Sequence, residues 1–312
     1  MKGTVIIPTY CRPNDLNRCL RALTQQIMPP YEVIVVVRDE DAKTWAMLEQ
    51  LKSLPLAIKP VTVRTPGMIA AMNAGISIAS GDFIAFTDDD AAPYPDWLQR
   101  IEAHFLDNVC VGGVGGRDNI QSTEPWAVGA REVVGKLQWH GRVIGEHHRG
   151  VGSAREVDVL KGVNMSFRRS IFDGLQFDER LHGKGAQVHN ELAFCLALKR
   201  QGWKIIYDPK ILVNHYIAQR FDEDQRNAFN AVAWANKAHN ETVGLLDHLP
   251  LIRKIIYLAW AFLVGTRDVL GFVQLCRFLP IEKDLAVRKW LASTQGRWQG
   301  IRTWMQPSSP NS

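Results

Sequence analysis

The 312-residue chain is long enough for one large domain, or for one domain with an appendage. With 46% hydrophobic and 22% charged residues it excludes a disordered protein, leaving only the tail 306–312 as a segment expected to lack structure. A net charge of +5 and a pI near 9.0 favour anionic partners such as a sugar nucleotide or a membrane surface without choosing among them. Cys11, Cys19, Cys110, Cys195 and Cys276 form no CxxC pair and read as free thiols of a reducing compartment. The N-terminus runs straight into an apolar stretch with no signal-peptide pattern, so a cytoplasmic protein is expected.

Thr4 to Ile7 and Val33 to Val37 are β-branched runs suited to strands buried on both faces. Between them Asn14 to Gln26 predicts a helix, capped by Asn14 or Asp15, with Leu16, Leu20 and Leu23 as its apolar stripe. Strand, helix, strand at this length is a βαβ unit. The alternation continues through a helix over 42–51, a strand over 58–63, a helix over 68–79, a strand over 83–87 and a helix over 95–105. That rhythm predicts an α/β fold with a mostly parallel central sheet flanked by helices.

Beyond residue 109 a glycine-broken strand runs to Gly116, and 134–144 reads as a hairpin turning at His140-Gly141. A helix over 190–201 precedes a strand over 204–207. The uncharged stretch 255–265 is too short to span a bilayer, which takes roughly 20 apolar residues. Flanked by Arg253-Lys254 and Arg267-Asp268, it fits either an interfacial helix pair on anionic lipid or an ordinary helical appendage on the core. The chain therefore divides into a catalytic unit over 1–240, a C-terminal helical region over 241–305 and the tail.

Chemistry gathers where the strand over 83–87 runs into Asp88-Asp89-Asp90. Ligands of open α/β sheets bind beyond the carboxyl ends of the strands. Adjacent carboxylates repel one another, and a divalent cation relieves the conflict. Asp88 and Asp90, two apart, share one side of an extended chain. Taken alone, the run also fits a solvated acidic loop.

Four stretches in order make the chain resemble family 2 of the inverting glycosyltransferases, which have the GT-A fold, a Rossmann-like arrangement. They are Val5-Ile-Ile-Pro-Thr-Tyr-Cys-Arg12; Pro66-Gly-Met-Ile-Ala-Ala-Met-Asn-Ala-Gly-Ile76 with Ser80-Gly-Asp-Phe-Ile-Ala-Phe-Thr-Asp-Asp-Asp90; Lys161-Gly-Val-Asn-Met-Ser-Phe-Arg-Arg169; and Phe177-Asp-Glu-Arg-Leu181 leading through Glu191-Leu192 and Gly202-Trp-Lys-Ile-Ile-Tyr-Asp-Pro209 to His215. The resemblance implies an enzyme moving a sugar from a nucleoside diphosphate sugar, expected to be a UDP-sugar, to a hydroxyl of a saccharide or lipid-linked acceptor. On the interfacial reading, residues 250–280 would hold this cytoplasmic enzyme on the inner membrane face. Nucleic acid is not an expected partner.

Residue by residue, it implies that Pro8, Thr9 and Tyr10 seat the nucleotide and that Asp39 reads the base or ribose. Gly67, Asn73, Asp88 and Asp89 border the donor, and Asn164 lines the sugar and acceptor side. Asp88, Asp90 and His215 would hold Mn2+ or Mg2+, with His215 in reach of metal or diphosphate. Two departures stand out. Met72 occupies the place of a family Arg or Lys, leaving Arg12 or Arg64 as substitutes on the diphosphate. A Glu-Asp pair expected to supply the base is replaced by Val188-His189. His189 and Glu191 remain as candidate bases, with Asp178 more distant. Trp126, Trp139 and His147-His148-Arg149 fit either acceptor contacts or hairpin residues with one packed Trp.

A sugar-nucleotide pyrophosphorylase is disfavoured because Pro8-Thr9-Tyr10 stands where its glycine-rich basic loop would be, and a dinucleotide dehydrogenase lacks Gly-x-Gly-x-x-Gly after the first strand. The remaining alternative is a glycosyltransferase-like sugar- or nucleotide-binding scaffold impaired in catalysis.

Overall fold

The computed structural model describes residues 1–121, 128–225 and 228–306. Trp126 and residues 307–312 lie outside the described residues.

The first half alternates as expected: β1 (Gly3–Thr9), α1 (Pro13–Leu23), β2 (Glu32–Arg38), α2 (Ala42–Gln50), β3 (Ile58–Val63), α3 (Met68–Ile78), β4 (Phe83–Phe86), the short β5 (Ala91–Pro93) and α4 (Trp97–Asp107). One expectation at a helix start is corrected. Arg12 is the N-cap of α1 with Pro13 next, and no side chain caps the helix, so Asn14 and Asp15 lie inside its first turn. Proline suits that place because its missing N–H would have no helical partner there.

The second half contributes β6 (Val111–Ile120), the hairpin β7 (Lys136–Leu137) and β8 (Val143–Ile144), β9 (Arg155–Glu156), β10 (Met165–Arg168), α5 (Asn190–Arg200) and β11 (Lys204–His215). Gly141, with φ +93°, makes the hairpin turn at the expected place. The main sheet has the order β3-β2-β1-β4-β10-β6-β11-β5, with β9 also against β11. Strands β1 to β4 are parallel neighbours, β10 is antiparallel to both β4 and β6, and β11 runs parallel to β6.

Apolar layers cover both faces of this sheet. Leu16 and Leu20 of α1, Leu48 of α2 and Trp97, Ile101 and Phe105 of α4 pack on one face. Ile69, Met72 and Ile76 of α3 with Phe194 and Leu198 of α5 pack on the other. This two-sided cover is why β1 and β2 read as unbroken apolar runs, with every residue of both strands buried.

Four helices complete the chain: α6 (Ala231–His248), α7 (Leu251–Leu263), α8 (Phe272–Glu282) and α9 (Asp284–Met305). The expected division at residue 240 falls inside α6. A third apolar cluster joins Leu192 and Leu196 of α5 to Leu245 and Leu246 of α6 and Tyr257 and Ala261 of α7, with Ile301 and Trp304 of α9 against it. Among the described residues no helix is long and apolar enough to cross a membrane.

Candidate active site

Parallel pairing of β1 with β4 brings Thr9 and the acidic run together at one edge of the sheet. The chain leaves β4 in a turn at Asp89-Asp90, with the Ala91 amide donating to the Asp88 carbonyl, and this turn sorts the three carboxylates. Asp89 turns inward and is fully buried, accepting from Thr9 Oγ1 at 2.7 Å and pairing with Arg12 Nη2 at 3.0 Å. Burial raises its pKa to about 7 despite that guanidinium. Asp88 and Asp90 line the first cavity, and Arg12 bridges Asp89 to Asp90. Asp90 accepts from the Ala218 amide at 2.8 Å and from Arg12 Nη1 at 3.3 Å.

His215 is the last residue of β11, which runs well beyond the expected strand over 204–207, and stands opposite Ala91 of β5 and Ile120 of β6. Its Nε2 lies 3.3 Å from Asp90 Oδ1 and its Nδ1 3.4 Å from Asp118 Oδ2. Asp118, fully buried in β6, also takes the Lys161 ammonium on Oδ2. Burial works to raise the Asp118 pKa, but Lys161 and His215 outweigh it and hold the carboxyl at about 2. Burial alone would lower His215, yet the contacts with Asp118 and Asp90 push it up to about 9. For Asp90 burial acts upward, and His215 and Arg12 carry it well below the usual carboxylate range. Asp88 is raised by burial and by Asp90 beside it.

Ligand atoms of Asp88, Asp90 and His215 all lie within 4.8 Å of one another. Asp90 Oδ1 and His215 Nε2 are buried and make no hydrogen bond, being misaligned for one although 3.3 Å apart. Two carboxylates, one imidazole and two buried polar atoms without hydrogen-bond partners fit a divalent cation of the manganese or magnesium kind. Asp118 on Nδ1 leaves Nε2 free to face that cation, the arrangement by which a carboxylate orients a ligating histidine.

Two cavities meet at this triad. Pro8, Thr9, Tyr10, Arg12 and Gly67 line the first, as expected from the sequence. Arg38, which sequence reasoning missed, stacks 3.9 Å over the Tyr10 ring and is held by Asp222 at 2.9 Å. Gly67 has φ +116°, and a Cβ there would come within 2.5 Å of Gln187 Oε1. The second cavity is lined by Met72, Lys161, Glu191 and His215, and Asp88 and Arg220 border both. Lys161, Asp118 and Arg220 were not singled out. Lys161 sits in a quoted stretch, and Arg220 follows His215 by five residues, but only the fold brings them to the triad.

Other expected residues stand elsewhere. Asp39, just past the end of β2, and Arg64 are exposed and face each other at 3.8 Å, and neither lines either cavity. Asn73 ties α3 to the backbone N–H and C=O of Phe177. Asn164 is buried, accepting from Trp97 Nε1 at 2.9 Å and donating to the Ile211 carbonyl at 3.0 Å, so its side chain points into the core and not to the cavity wall. His147 is likewise buried on the Val159 carbonyl, whereas Trp139 is exposed at the hairpin tip.

The two candidate bases separate. His189 adopts φ +77° at the N-cap of α5, lines neither cavity, and burial lowers its pKa to about 3. Glu191, one residue into the helix, faces the second cavity, and burial raises its pKa. Asp178 is held by Arg180 at 2.7 Å.

A mostly parallel sheet, helices on both faces and an acidic triad at a strand's carboxyl end define a GT-A glycosyltransferase. The family profile "Glycosyl transferase family 2" matches residues 4–175, and the chain belongs to that family. It is 25% identical over 224 residues to the glucosyl-dolichyl phosphate glucuronosyltransferase of Haloferax volcanii, covering 69% of each chain. It is 34% identical over 128 residues to glycosyltransferase AglE of the same organism, covering 39% of this chain and 40% of that protein. Two solved structures share the fold at low identity. S. aureus TarS 1-349 in complex with UDP-GlcNAc gives a TM-score of 0.62 at 15% identity, over 97% of this chain and 89% of that one. The mannosyltransferase PcManGT from Pyrobaculum calidifontis, in complex with GDP-Man and Mn2+, gives 0.56 at 16%, over 97% and 84%.

Proposed function

We propose that this glycosyltransferase moves a sugar from a UDP-sugar to a hydroxyl of a saccharide or lipid-linked acceptor, with inversion, using Glu191 as base and a divalent cation on Asp88, Asp90 and His215. One observation carries the reading: the triad stands on the seam between two cavities, and Glu191 is the carboxylate outside the triad that lines the second. Nucleotide and diphosphate belong in the first cavity, against Tyr10, Arg12 and Arg38. Arg220, bordering both, takes the part left vacant by Met72 and meets the diphosphate. A bound Mn2+ or Mg2+ would neutralise charge developing on the leaving diphosphate. The nucleotide sugars held by the TarS and PcManGT structures, and the Mn2+ of the latter, support this donor class and cation.

Glu191 accepts the acceptor's proton as its oxygen bonds to the anomeric carbon. The bond from that carbon to the diphosphate oxygen breaks on the opposite side, and nucleoside diphosphate leaves. The base must be ionised, and burial raises its pKa, so transfer should fall on the acid side at a pH above ordinary glutamate titration.

The test is a panel of nucleotide sugars with an acceptor mixture and Mn2+, scored by nucleoside diphosphate released. One donor should dominate, and chelation should stop release. Glu191→Gln should lower transfer by about 100- to 10,000-fold while Mn2+-dependent UDP binding persists; His189→Gln should stay within about threefold, as for a group outside the reacting centre. Release from no donor, with UDP still bound, favours the impaired scaffold. Normal transfer by Glu191→Gln removes Glu191 as base.

A further inference from the structure

The C-terminal helices carry an apolar surface that nothing in the transfer chemistry uses. Of 22 exposed large hydrophobic side chains among the described residues, eleven lie between Leu251 and Met305. They are ordered. On α7, Ile252, Ile255, Ala259 and Leu263 follow helical spacing along the side opposite buried Tyr257, with Ile252 73% exposed. On α8 no residue is fully buried: Leu275 and Phe278 are half-buried on its inner side, and Phe272, Val273, Cys276 and Leu279 form its exposed outer arc. A helix of 11 residues with no fully buried side chain gains only modest stability from the fold that carries it.

Charge settles what such a surface meets. Residues 251–306 hold nine Lys and Arg against three Asp and Glu, a surplus of six that exceeds the +5 of the whole chain, so the remainder is slightly acidic. Arg267, Arg277, Lys283, Arg288 and Arg302 are exposed. A second copy meeting this surface by two-fold symmetry would set like charges against each other, whereas anionic headgroups would be attracted to it. Neither helix is long and apolar enough to cross a bilayer.

We propose that the outward faces of α7 and α8 seat this chain on an anionic bilayer, lying in the headgroup plane with their apolar stripes toward the acyl chains. Trp139, 67% exposed at the hairpin tip, is pinned beside α7 by Arg253, which donates to its carbonyl at 3.0 Å. An indole at such a margin suits the interface, where one end is apolar and the other wet.

The experiment is flotation of the full chain with vesicles of phosphatidylcholine alone or mixed with phosphatidylglycerol. The wild-type protein should float with the mixed vesicles about tenfold more than with the neutral ones, and high salt should release it. The exposed-site variant Ile252→Glu/Ile255→Glu/Phe272→Glu/Val273→Glu should remain at the bottom, with unchanged melting temperature and Mn2+-dependent UDP binding to show that it folds. A companion variant, Arg267→Glu/Arg277→Glu, should lose the preference for anionic vesicles. No flotation of the wild type, equal flotation of the four-glutamate variant, or equal binding to neutral vesicles overturns the proposal. A dimer seen by light scattering that the four-glutamate variant dissolves, with no vesicle binding, assigns the surface to a second copy instead. None of these results depends on the donor or base assigned above.

Discussion

Asp118 is the residue on which the geometry of Asp88, Asp90 and His215, the proposed cation ligands, turns. It is fully buried, holds His215 by Nδ1 and is itself held by Lys161. Removing its charge while keeping its shape leaves the imidazole free to turn and leaves Lys161 without its partner. Asp118→Asn should weaken Mn2+ binding in the presence of UDP by about 10- to 100-fold, as losses of carboxylates behind ligating histidines do. Titration calorimetry or the Mn2+ electron paramagnetic signal would read this without any transfer assay. Unchanged affinity would mean that the three ligands need no such support. Three consecutive aspartates look alike in sequence, but the turn at Asp89-Asp90 buries the middle one against Thr9 and Arg12.

Strand β11 places His215 by a device that is legible only in the pairing. Its register against β6 shifts between Asp208, opposite Gly116, and Leu212, opposite Arg117. The extra residues bulge toward β6, and a Cβ on Gly116 would overlap the Ile211 carbonyl. Such bulges re-aim the chain beside active sites. Gly116→Ala should therefore destabilise the fold by about 2 kcal/mol or more, since backbone has to move to admit the methyl group, and should weaken Mn2+ binding as well. Denaturant unfolding and calorimetry would test both; a stable variant with intact metal binding would show that the bulge tolerates a side chain. Composition marks a glycine-broken strand here, which the fold extends to Ile120, but the reason for Gly116 lies in its neighbour Ile211.

The molecule as a whole couples the C-terminal helices to the site. Leu192 and Leu196 of α5, the helix that presents Glu191, pack in the same cluster as Leu245, Leu246 and Tyr257, and α9 closes over it with Ile301 and Trp304. Helix α6 touches α9 so closely that a Cβ on Gly300 would come within 2.8 Å of Thr242 Cβ. Truncation after residue 248 should consequently do more than remove a peripheral surface. It should lower the melting temperature by more than about 10 °C, as loss of a buried apolar seam does, and abolish transfer with it. Calorimetric melting of the truncated chain would decide; an unchanged melting temperature would show the helices to be a dispensable appendage.

Local pattern was sufficient for much of this protein. Apolar runs and their spacing marked β1 to β4 and α1 to α4, because strands covered on both faces and helices with one apolar stripe leave periodic traces in residue order. The acidic run, with its place at a strand end, marked Asp88 and Asp90 for the same reason. Tertiary structure alone decided the rest. Asp118, Lys161 and Arg220 join the triad from β6, the approach to β10 and the segment after β11, which are distant in residue order and adjacent only across the sheet. His189 and Glu191 are two residues apart, and no composition distinguishes them. At the start of a helix that spacing turns one side chain away from the cavity and the other into it.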